Sequence, residues 1–374
     1  MKKQYRPMLS IAALCVTFSV AIAGCTDPGL FDLLGEQNPP WLLDTSTHRR
    51  RLILENTAGS EALANVPVKV TLNDETFDYA QTDGTDLRFY GNDHETELYY
   101  EIERWDETGT SVIWVLVDAI EPETRDYFWM YWGSEEATAF HDSTKVWADY
   151  VLVLHFNDNL DDSSPSGYNG VATGTISYEA GVAGNGLVLE DGERVDYDGY
   201  ATDHGATELP AYTVEVWFKA IDTPQVGSAG SGPVMAQNHF NIGWDHSTVS
   251  YVGSYHFDVE DTGAGLHSWQ AVPQTTQYVA NSPYYVAAVF DGAAGSAKSY
   301  RNAALDGELT GLDARTDTGP TYLRLGTDGS RAYFFEGVID EVRVSFKARS
   351  AAWIDAQYRS LQGELVELGT VEGK

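Results

Sequence analysis

The sequence is poor in cysteine and in basic residues. It contains 2 cysteines among 374 residues, and 23 Lys and Arg stand against 56 Asp and Glu, which gives a formal net charge of -33 at pH 7. Two cysteines cannot form the disulfide framework of a small secreted scaffold, so the fold must be held by core packing or by bound metal. The shortage of bases argues against nucleic acid as a partner, because such binding relies on Lys and Arg that neutralise phosphates. Divalent cations suit this charge better.

Aromatic and apolar residues, by contrast, are plentiful. The chain has 10 Trp, 22 Tyr and 14 Phe, and 43% of it is hydrophobic. This composition excludes a disordered acidic tail, because these side chains can bury enough surface to offset the entropy of the chain. The length allows two domains or one large β domain.

Residues 1–24 are predicted to be a signal peptide. A positively charged start precedes the apolar stretch 9–23, which is shorter than the roughly 20 residues that a membrane-spanning helix needs. The stretch ends in Ile-Ala-Gly-Cys at residues 22–25, which resembles the lipobox of bacterial lipoproteins. The resemblance implies cleavage before Cys25, lipidation of Cys25 as the contact with the membrane, a tether over residues 25–40 and a lipid-anchored place in the bacterial cell envelope, at the outer membrane or cell surface. An ordinary secretory signal cut elsewhere is the alternative.

Strand patterns follow almost everywhere after residue 40. Residues 66–72 alternate between apolar and other side chains, and residues 111–117 and 127–132 are continuous apolar runs, as expected of strands covered on both faces. Only residues 350–361 look helical, with Ser350 as a candidate N-cap. The sequence therefore predicts an all-β chain of two β-sandwich domains with one short C-terminal helix. Asp-Gly pairs, which favour hairpin turns, start at positions 83, 191, 198, 291, 306 and 328.

Charged residues interrupt the strand pattern near residues 134–145, where we place the domain boundary. The first predicted sandwich covers residues 41–140. It resembles the family of unknown function numbered twenty-three forty-one, which implies a secreted or surface protein of bacteria, often followed by a lectin-like sandwich and without assigned chemistry. The motifs that carry the resemblance are Arg-Arg-Arg-Leu-Ile at 49–53, Asp-Gly-Thr-Asp-Leu-Arg-Phe at 83–89 and Met-Tyr-Trp-Gly at 130–133.

The second predicted sandwich covers residues 147–365. It resembles a concanavalin A-like or laminin G-like jelly roll, although Pro-Tyr-Tyr-Val-Ala at 283–287 departs from the usual Trp-His-His type of strand opening, and the cysteines of many laminin G-like domains are missing. The motifs that carry the resemblance are Leu-His-Phe at 154–156, Asp-Ser-Ser-Pro-Ser-Gly at 162–167, Tyr-Thr-Val-Glu-Val-Trp-Phe at 212–218 and Gly-Val-Ile-Asp-Glu-Val-Arg-Val at 337–344.

Calcium is the cofactor that these residues favour. Residues 158–162 cluster hard oxygen ligands of the kind that calcium takes. The jelly-roll resemblance implies a structural calcium ion near the sheet rim, with Asp162 and Asp340 as its side-chain ligands. The alternatives are that Asp162 begins an Asx-turn and that Asp340 pairs with a base such as Arg343.

Catalysis finds little support in the sequence. Retaining glycosidases need two carboxylates about 5 Å apart, and the adjacent Asp340 and Glu341 would point to opposite faces of a regular strand. Glu101 and Glu103 do share a face, but the pattern is typical of a solvated strand face. The histidines show no zinc spacing, and His239 is predicted at the surface.

Sugar recognition needs exposed aromatic side chains that stack on pyranose rings. The candidates are Trp244, Tyr251, Tyr255 and Trp269, all in a stretch over residues 238–270 that looks irregular. Packing within loops is the alternative for Trp244 and Trp269.

These features predict a lipid-anchored, non-catalytic binding protein of the cell envelope, whose jelly roll recognises a glycan or a protein surface. Two alternatives belong to other classes. One is an architectural envelope protein without a small ligand, and the other is a glycan hydrolase or lyase.

Overall fold

A computed structural model shows a chain built mostly of β-strands, which confirms the predicted all-β class. The signal peptide, Cys25 and most of the tether lie outside the described residues. Among those described, no helix is long and apolar enough to cross a membrane. Residues 42–374 form one compact unit. The described residues are 39–135, 140–204, 208–221, 232–236, 239–244, 255–261, 268–272, 278–313, 322–327 and 334–374.

The first sandwich consists of two antiparallel sheets. Its strands are β1 (His48–Asn56), β2 (Leu63–Asn73), β3 (Arg88–Tyr90), β4 (Glu97–Leu98), β5 (Tyr100–Arg104), β6 (Thr110–Ile120), β7 (Thr124–Trp132) and, from the end of the chain, β23 (Val366–Gly373). Sheet I has the order β23-β1-β7-β3-β4, and sheet II has the order β2-β6-β5. The two apolar runs of the sequence are β6 and β7, and each lies inside its sheet, as predicted for strands covered on both faces.

The second sandwich, the jelly roll, also has two sheets. Its strands are β8 (Leu152–Leu154), β9 (Val171–Thr173), β10 (Ser177–Ala180), β11 (Asn185–Leu189), β12 (Arg194–Asp196), β13 (Ala211–Ala220), β14 (Val234–Ala236), β15 (Phe240–Trp244), β16 (Tyr255–Asp261), β17 (Ser268–Val272), β18 (Pro283–Asp291), β19 (Ser296–Arg301), β20 (Ala304–Thr310), β21 (Leu323–Leu325) and β22 (Gly337–Ser345). Sheet III has the order β10-β11-β22-β13-β18-β19-β20, with β8 also paired to β22. Sheet IV has the order β17-β16-β15-β14-β21-β12-β9.

Three helices are described: α1 (Ser143–Val146), α2 (Asp198–His204) and α3 (Ala351–Gln362). Helix α3 is the predicted C-terminal helix. The Ser350 hydroxyl accepts the backbone N–H of Trp353 at 3.2 Å, and Gly363 ends the helix in the left-handed conformation with φ 74°. The short helices α1 and α2 were not predicted, because one or two turns show no readable periodicity.

The core of the first sandwich continues beyond sheet II. One cluster of buried residues joins the interior of sheets I and II to Trp353, Ile354 and Leu361 of α3, and to Trp217 and other residues on the outer face of sheet III. Sheet II is therefore covered on both sides. A second cluster fills the space between sheets III and IV.

Helix α3 is bonded directly to strand β2. The backbone N–H of Lys69 donates to the Ser360 hydroxyl at 2.7 Å, and Gln357 Nε2 donates to the carbonyl of Pro67 at 3.1 Å. These bonds satisfy polar groups that the packing of α3 removes from water.

The last strand returns to the first sandwich. Strand β23 runs antiparallel to β1, from Gly373 opposite His48 to Val366 opposite Leu54. It lies beyond the end of the range 147–365. The end of the chain thus adds an edge strand to sheet I of the first sandwich. The predicted ranges 41–140 and 147–365 stay predictions.

Candidate functional site

The predicted aromatic binding residues lie on three neighbouring strands of sheet IV. Trp244 is in β15, Tyr255 is in β16 and Trp269 is in β17. Trp244 and Tyr255 are cross-strand partners, and Trp269 lies opposite Glu260. Their stretch is thus partly strand rather than irregular, because pairing between neighbours supplies the order that its polar sequence does not reveal. Tyr251 lies outside the described residues.

The same sheet carries a charged group on its outer face, by which we mean the face directed away from the second core. Val195 and Leu325 are buried in that core, so strand alternation places Arg194, Asp196 and Arg324 on the opposite face. Arg194 Nε donates to Asp196 Oδ2 at 2.9 Å, and Arg324 Nε donates to Asp196 Oδ1 at 2.5 Å. Sequence reasoning missed this group, because β12 and β21 are far apart in the chain and only the sheet brings them together.

The first predicted calcium ligand, Asp162, is surrounded by donors of its own loop and of strand β8. Its Oδ1 accepts the backbone N–H groups of Val153 and Ser164, both at 2.9 Å. Its Oδ2 accepts the Ser164 hydroxyl at 2.9 Å and the N–H of Tyr168 at 2.8 Å. A cation at this carboxylate would have to displace these donors. The arrangement fits the Asx-turn alternative better than a calcium site.

The second predicted ligand, Asp340, is also bonded to the backbone. Its Oδ2 accepts the N–H groups of Val182 and Ala183 at 2.8 and 3.1 Å, and its Oδ1 accepts the N–H of Glu341 at 2.9 Å. None of these partners is shared with Asp162. The pairing of Asp340 with Arg343 is not seen, since that arginine bonds to Glu341. Calcium at Asp162 and Asp340 stays a prediction that these donor sets do not favour.

A β-bulge at Glu341 changes which face its neighbours occupy. Glu341 has φ 50°, and the pairing of β13 with β22 slips by one residue at this point, where Trp217 lies opposite Asp340 and Glu215 lies opposite Arg343. The two adjacent acids are therefore not held on opposite faces, as a regular strand would require. Ile339, Val342 and Val344 enter the second core, while Asp340, Glu341 and Arg343 lie on the other side of sheet III.

The bulge brings Glu341 to a buried charged cluster between sheets II and III, which we call the joint. At its centre, His155 Nδ1 lies 2.7 Å from Glu341 Oε1 and 3.4 Å from Glu103 Oε2, and His155 Nε2 lies 3.4 Å from Glu101 Oε2. Arg343 bonds to the other oxygen of Glu341. The joint therefore surrounds one imidazole with three carboxylates.

The side chains around the joint hold these carboxylates in place. Trp114 Nε1 donates to Glu103 at 2.5 Å, and the Trp147 indole donates to Glu101. Asn157 donates to the second oxygen of Glu103, and the Ser163 hydroxyl donates to the second oxygen of Glu101 at 2.6 Å. The prediction of a solvated face for Glu101 and Glu103 was wrong, because the outer face of sheet II is covered by the jelly roll rather than by water.

Burial and charge push the pKa values in the joint apart. Burial raises the pKa of Glu103 to about 8. Burial alone would lower the pKa of His155, but Glu341, Glu103 and Glu101 raise it well above its usual range. Burial opposes ionisation of Glu341, yet His155 and Arg343 lower its pKa to about 2. The joint is therefore built around an imidazolium ion and an ionised Glu341.

The spacing in the joint is one that a metal ion could bridge, since ligand atoms of Glu103, His155 and Glu341 lie within 4.8 Å of one another. Each of them already has protein partners, however. Trp114 and Asn157 donate to Glu103, and Arg343 donates to Glu341. A protonated imidazole accounts for the short distances without an ion.

His239, predicted at the surface, is fully buried. Its Nδ1 lies 2.8 Å from the hydroxyl of Tyr200, and its carbonyl accepts the hydroxyl of Tyr212 at 2.9 Å. The prediction was wrong because helix α2, which carries Tyr200, packs over this end of sheet IV.

Removing the central cation of the joint should lower the stability of the fold strongly. In His155→Gln, the buried carboxylates of Glu101 and Glu341 lose their shared cation, and we expect the free energy of unfolding to fall by about 3–5 kcal/mol. Urea denaturation at pH 7 measures this loss. The matched control is Lys298→Gln, which removes an exposed partner 3.6 Å from Glu308 and should cost at most about 1 kcal/mol. Equal small losses in both variants would contradict a stabilising role for the joint.

The joint also predicts that stability falls as the pH rises. Glu103 has a pKa of about 8 in the folded chain against an ordinary 4.5, so the folded state holds its proton more tightly than the unfolded state does. Between pH 4.5 and about pH 8 the unfolded state therefore releases this proton first, and the free energy of unfolding falls as the pH rises. His155 acts in the same direction, because its pKa is also raised in the folded chain, so its contribution to stability begins to fall once the pH passes the ordinary value of 6.5. Urea unfolding from pH 5 to 9 should show this decline, and Glu103→Gln should make it shallower. Glu308→Gln is the control, and an unchanged slope in Glu103→Gln would refute the assignment.

In a comparison with known protein families, two family models match parts of the chain. Residues 83–167 match the Domain of unknown function (DUF2341), and residues 194–355 match the Concanavalin A-like lectin/glucanases superfamily. No curated protein matches the chain.

Three solved structures are similar to part of this chain. Domain 4 of AbnA, a GH43 extracellular arabinanase from Geobacillus stearothermophilus in complex with arabinotriose, is 20% identical, with 55% of this chain and 97% of that chain covered and a TM-score of 0.43. The binding domain of Paraclostridial Mosquitocidal Protein 1 is 11% identical, with 57% and 52% covered and a TM-score of 0.44. The botulinum neurotoxin serotype C1 binding domain is 13% identical, with 57% and 52% covered and a TM-score of 0.42. The match spans about half the length of these two toxin domains.

The two matched regions agree with the two resemblances seen in the sequence. The chain thus carries a DUF2341 region at residues 83–167, followed at residues 194–355 by a domain of the concanavalin A-like lectin/glucanases superfamily.

Proposed function

We propose that this chain is a non-catalytic binding protein of the bacterial cell envelope, held by lipid on Cys25, and that sheet IV of its jelly roll recognises a glycan. One observation carries the proposal. Trp244, Tyr255 and Trp269, chosen for their chemistry, fall on three adjacent strands of sheet IV. The position of Trp269 alternates with the buried Val272 and so belongs to the outer face that carries the Arg194 group, whereas the positions of Trp244 and Tyr255 alternate in step with the buried Ile242 and Phe257. An aromatic residue and fixed polar groups on one face of a sheet match the usual composition of a sugar-binding surface.

Burial supports binding rather than hydrolysis. The matched superfamily contains both lectins and glucanases by its own description, so the family does not decide between them. The burial of the clustered carboxylates among the described residues supports binding, because Glu101 and its partner His155 are only 6% exposed and Glu341 is 1% exposed. A polysaccharide cannot reach these groups, and their oxygens are engaged by protein donors.

An architectural role is the second candidate. The observation that favours it is the joint, which links the two sandwiches through buried charges within one compact unit. A rigid pair of sandwiches suits assembly in the envelope without a small ligand. Structural calcium at Asp162 and Asp340 remains a further prediction within either role.

A glycan array probed with the full chain tests the binding function. We expect binding to a defined set of glycans, and we expect Trp269→Ala to weaken it at least about tenfold, because truncating a stacking ring costs more than about 1 kcal/mol. Tyr99→Ala removes an aromatic side chain that is 36% exposed in the first sandwich, and it should leave binding intact. An array without any bound glycan would favour the architectural role, and release of reducing ends would identify an enzyme.

Lipid anchoring has a separate test. Cys25→Ser should move the protein from the membrane fraction to the soluble fraction, because the acyl chains supply the attachment, at about 0.8 kcal/mol per buried methylene. Mass spectrometry of the mature N-terminus should show acyl groups on the wild type only. Cys15→Ser is the matched control and should stay membrane-bound. A mature N-terminus other than Cys25 would contradict the anchor.

A further inference from the structure

Two arginines on the outer face of sheet IV share one aspartate. Arg194 and Arg324 each donate through Nε to a different oxygen of Asp196. The exposed fractions of the side chains are 16% for Arg194, 8% for Arg324 and 13% for Asp196. Strand pairing fixes the arrangement, since Asp196 lies opposite Arg324 across β12 and β21.

In the described part of the chain, the Nη atoms of both arginines make no hydrogen bond to protein. Within the part of the chain that the structure describes, each of the two side chains donates to protein only through Nε. A guanidinium has five N–H donors in a planar fork, so the Nη groups of both side chains are left to solvent or ligand. Arg194 and Arg324 share Asp196 as their one described carboxylate partner. This group of three side chains therefore carries one net positive charge, on a chain whose formal net charge is -33.

The second guanidinium is held in a fixed plane. Arg324 Cζ lies 3.6 Å from the centroid of the Tyr322 ring, which is a close cation–π stack. Together with the shared aspartate, this stack orders the side chain before any ligand binds, so less side-chain entropy is lost on binding.

Apolar side chains lie beside the charges. Val171 is paired with Asp196 on one side and is 64% exposed, and Met235 is paired with Arg324 on the other. A ligand that fits must offer an anionic oxygen pair to the guanidinium forks and an apolar surface to the flanking side chains. A uronic acid has both, in its planar carboxylate and the C–H face of its ring.

We propose that Arg194 and Arg324 bind the carboxylate of a uronic acid unit in an acidic polysaccharide. This inference rests on the proposed function, since it names the ligand class of the same sheet. The carboxylate accepts hydrogen bonds from the Nη groups of the two arginines, Asp196 keeps both forks aligned, and Val171 contacts the sugar ring.

Binding of the full chain to polygalacturonate and to its fully methyl-esterified form tests the proposal, because the two polymers share a backbone and differ in charge. We expect the wild type to bind the acid form at least about tenfold more tightly, and Arg194→Gln and the double variant Arg194→Gln/Arg324→Gln to lose this preference. Arg194→Lys should also lose most of it, because an ammonium cannot replace a bidentate fork. Added salt should weaken binding of the acid form more than that of the ester.

The matched control is Arg301→Gln. Arg301 belongs to sheet III; its Cζ lies 5.1 Å from the ring centroid of Tyr278, and its Nη2 lies 3.5 Å from Asp306 Oδ1, so it repeats the chemistry on a different sheet. This variant should keep the preference for the acid form. Thermal melting checks the fold of each variant, and Arg194→Gln, which removes the more exposed arginine, keeps the test decisive if the double variant unfolds.

The outcomes separate the two proposals. If the wild type binds both polymers equally and Trp269→Ala abolishes both, the carboxylate site is refuted while sheet IV stays the ligand face. Binding of dextran sulfate without binding of polygalacturonate would also refute the uronate assignment. If no polysaccharide binds the wild type, the proposed function fails and this inference fails with it.

Discussion

The contact between the His155 imidazolium and the carboxylates around it holds the two sandwiches in one unit. Glu101 and Glu103 come from sheet II, and Glu341 comes from sheet III. Arg343 closes the cluster, with its guanidinium carbon 4.2 Å from the Trp114 ring and 4.7 Å from the Trp147 ring. Because every buried charge here depends on an oppositely charged partner, the cluster acts as a unit, and neither surface could bury its charges alone.

The joint coincides with the meeting of the two matched families. Glu101, Glu103 and His155 lie within residues 83–167, while Glu341 and Arg343 lie within residues 194–355. The end of the chain strengthens the same contact, since α3 packs on β2 and strand β23 joins sheet I. The two regions therefore share a core, a charged cluster and a returning strand, which favours a rigid pair over two modules on a flexible linker.

This packing decides which surface of the jelly roll remains for a ligand. The outer face of sheet III is buried against the first core, and Trp217 belongs to that core although it comes from the second sandwich. The outer face of sheet IV instead carries Arg194, Asp196, Arg324 and the exposed Val171. The proposed binding function is therefore assigned to sheet IV, because the outer face of sheet III is covered, and the charges on sheet IV suggest the class of ligand proposed above.

Local signals in the sequence, namely alternation, apolar runs and a Ser cap, were enough to predict the β class, the internal position of β6 and β7 and the C-terminal helix. The other features depend on contacts between distant parts of the chain. Glu101 and Glu103 show the same spacing whether water or a second sandwich covers them, and Asp340 and Glu341 share a side of sheet III only through a bulge that no local pattern announces. Arg194 and Arg324 meet because β12 and β21 pair across a long separation in the chain. Local sequence patterns determine where strands form. Which side chains come into contact depends on strand pairing and burial, which are properties of the whole fold.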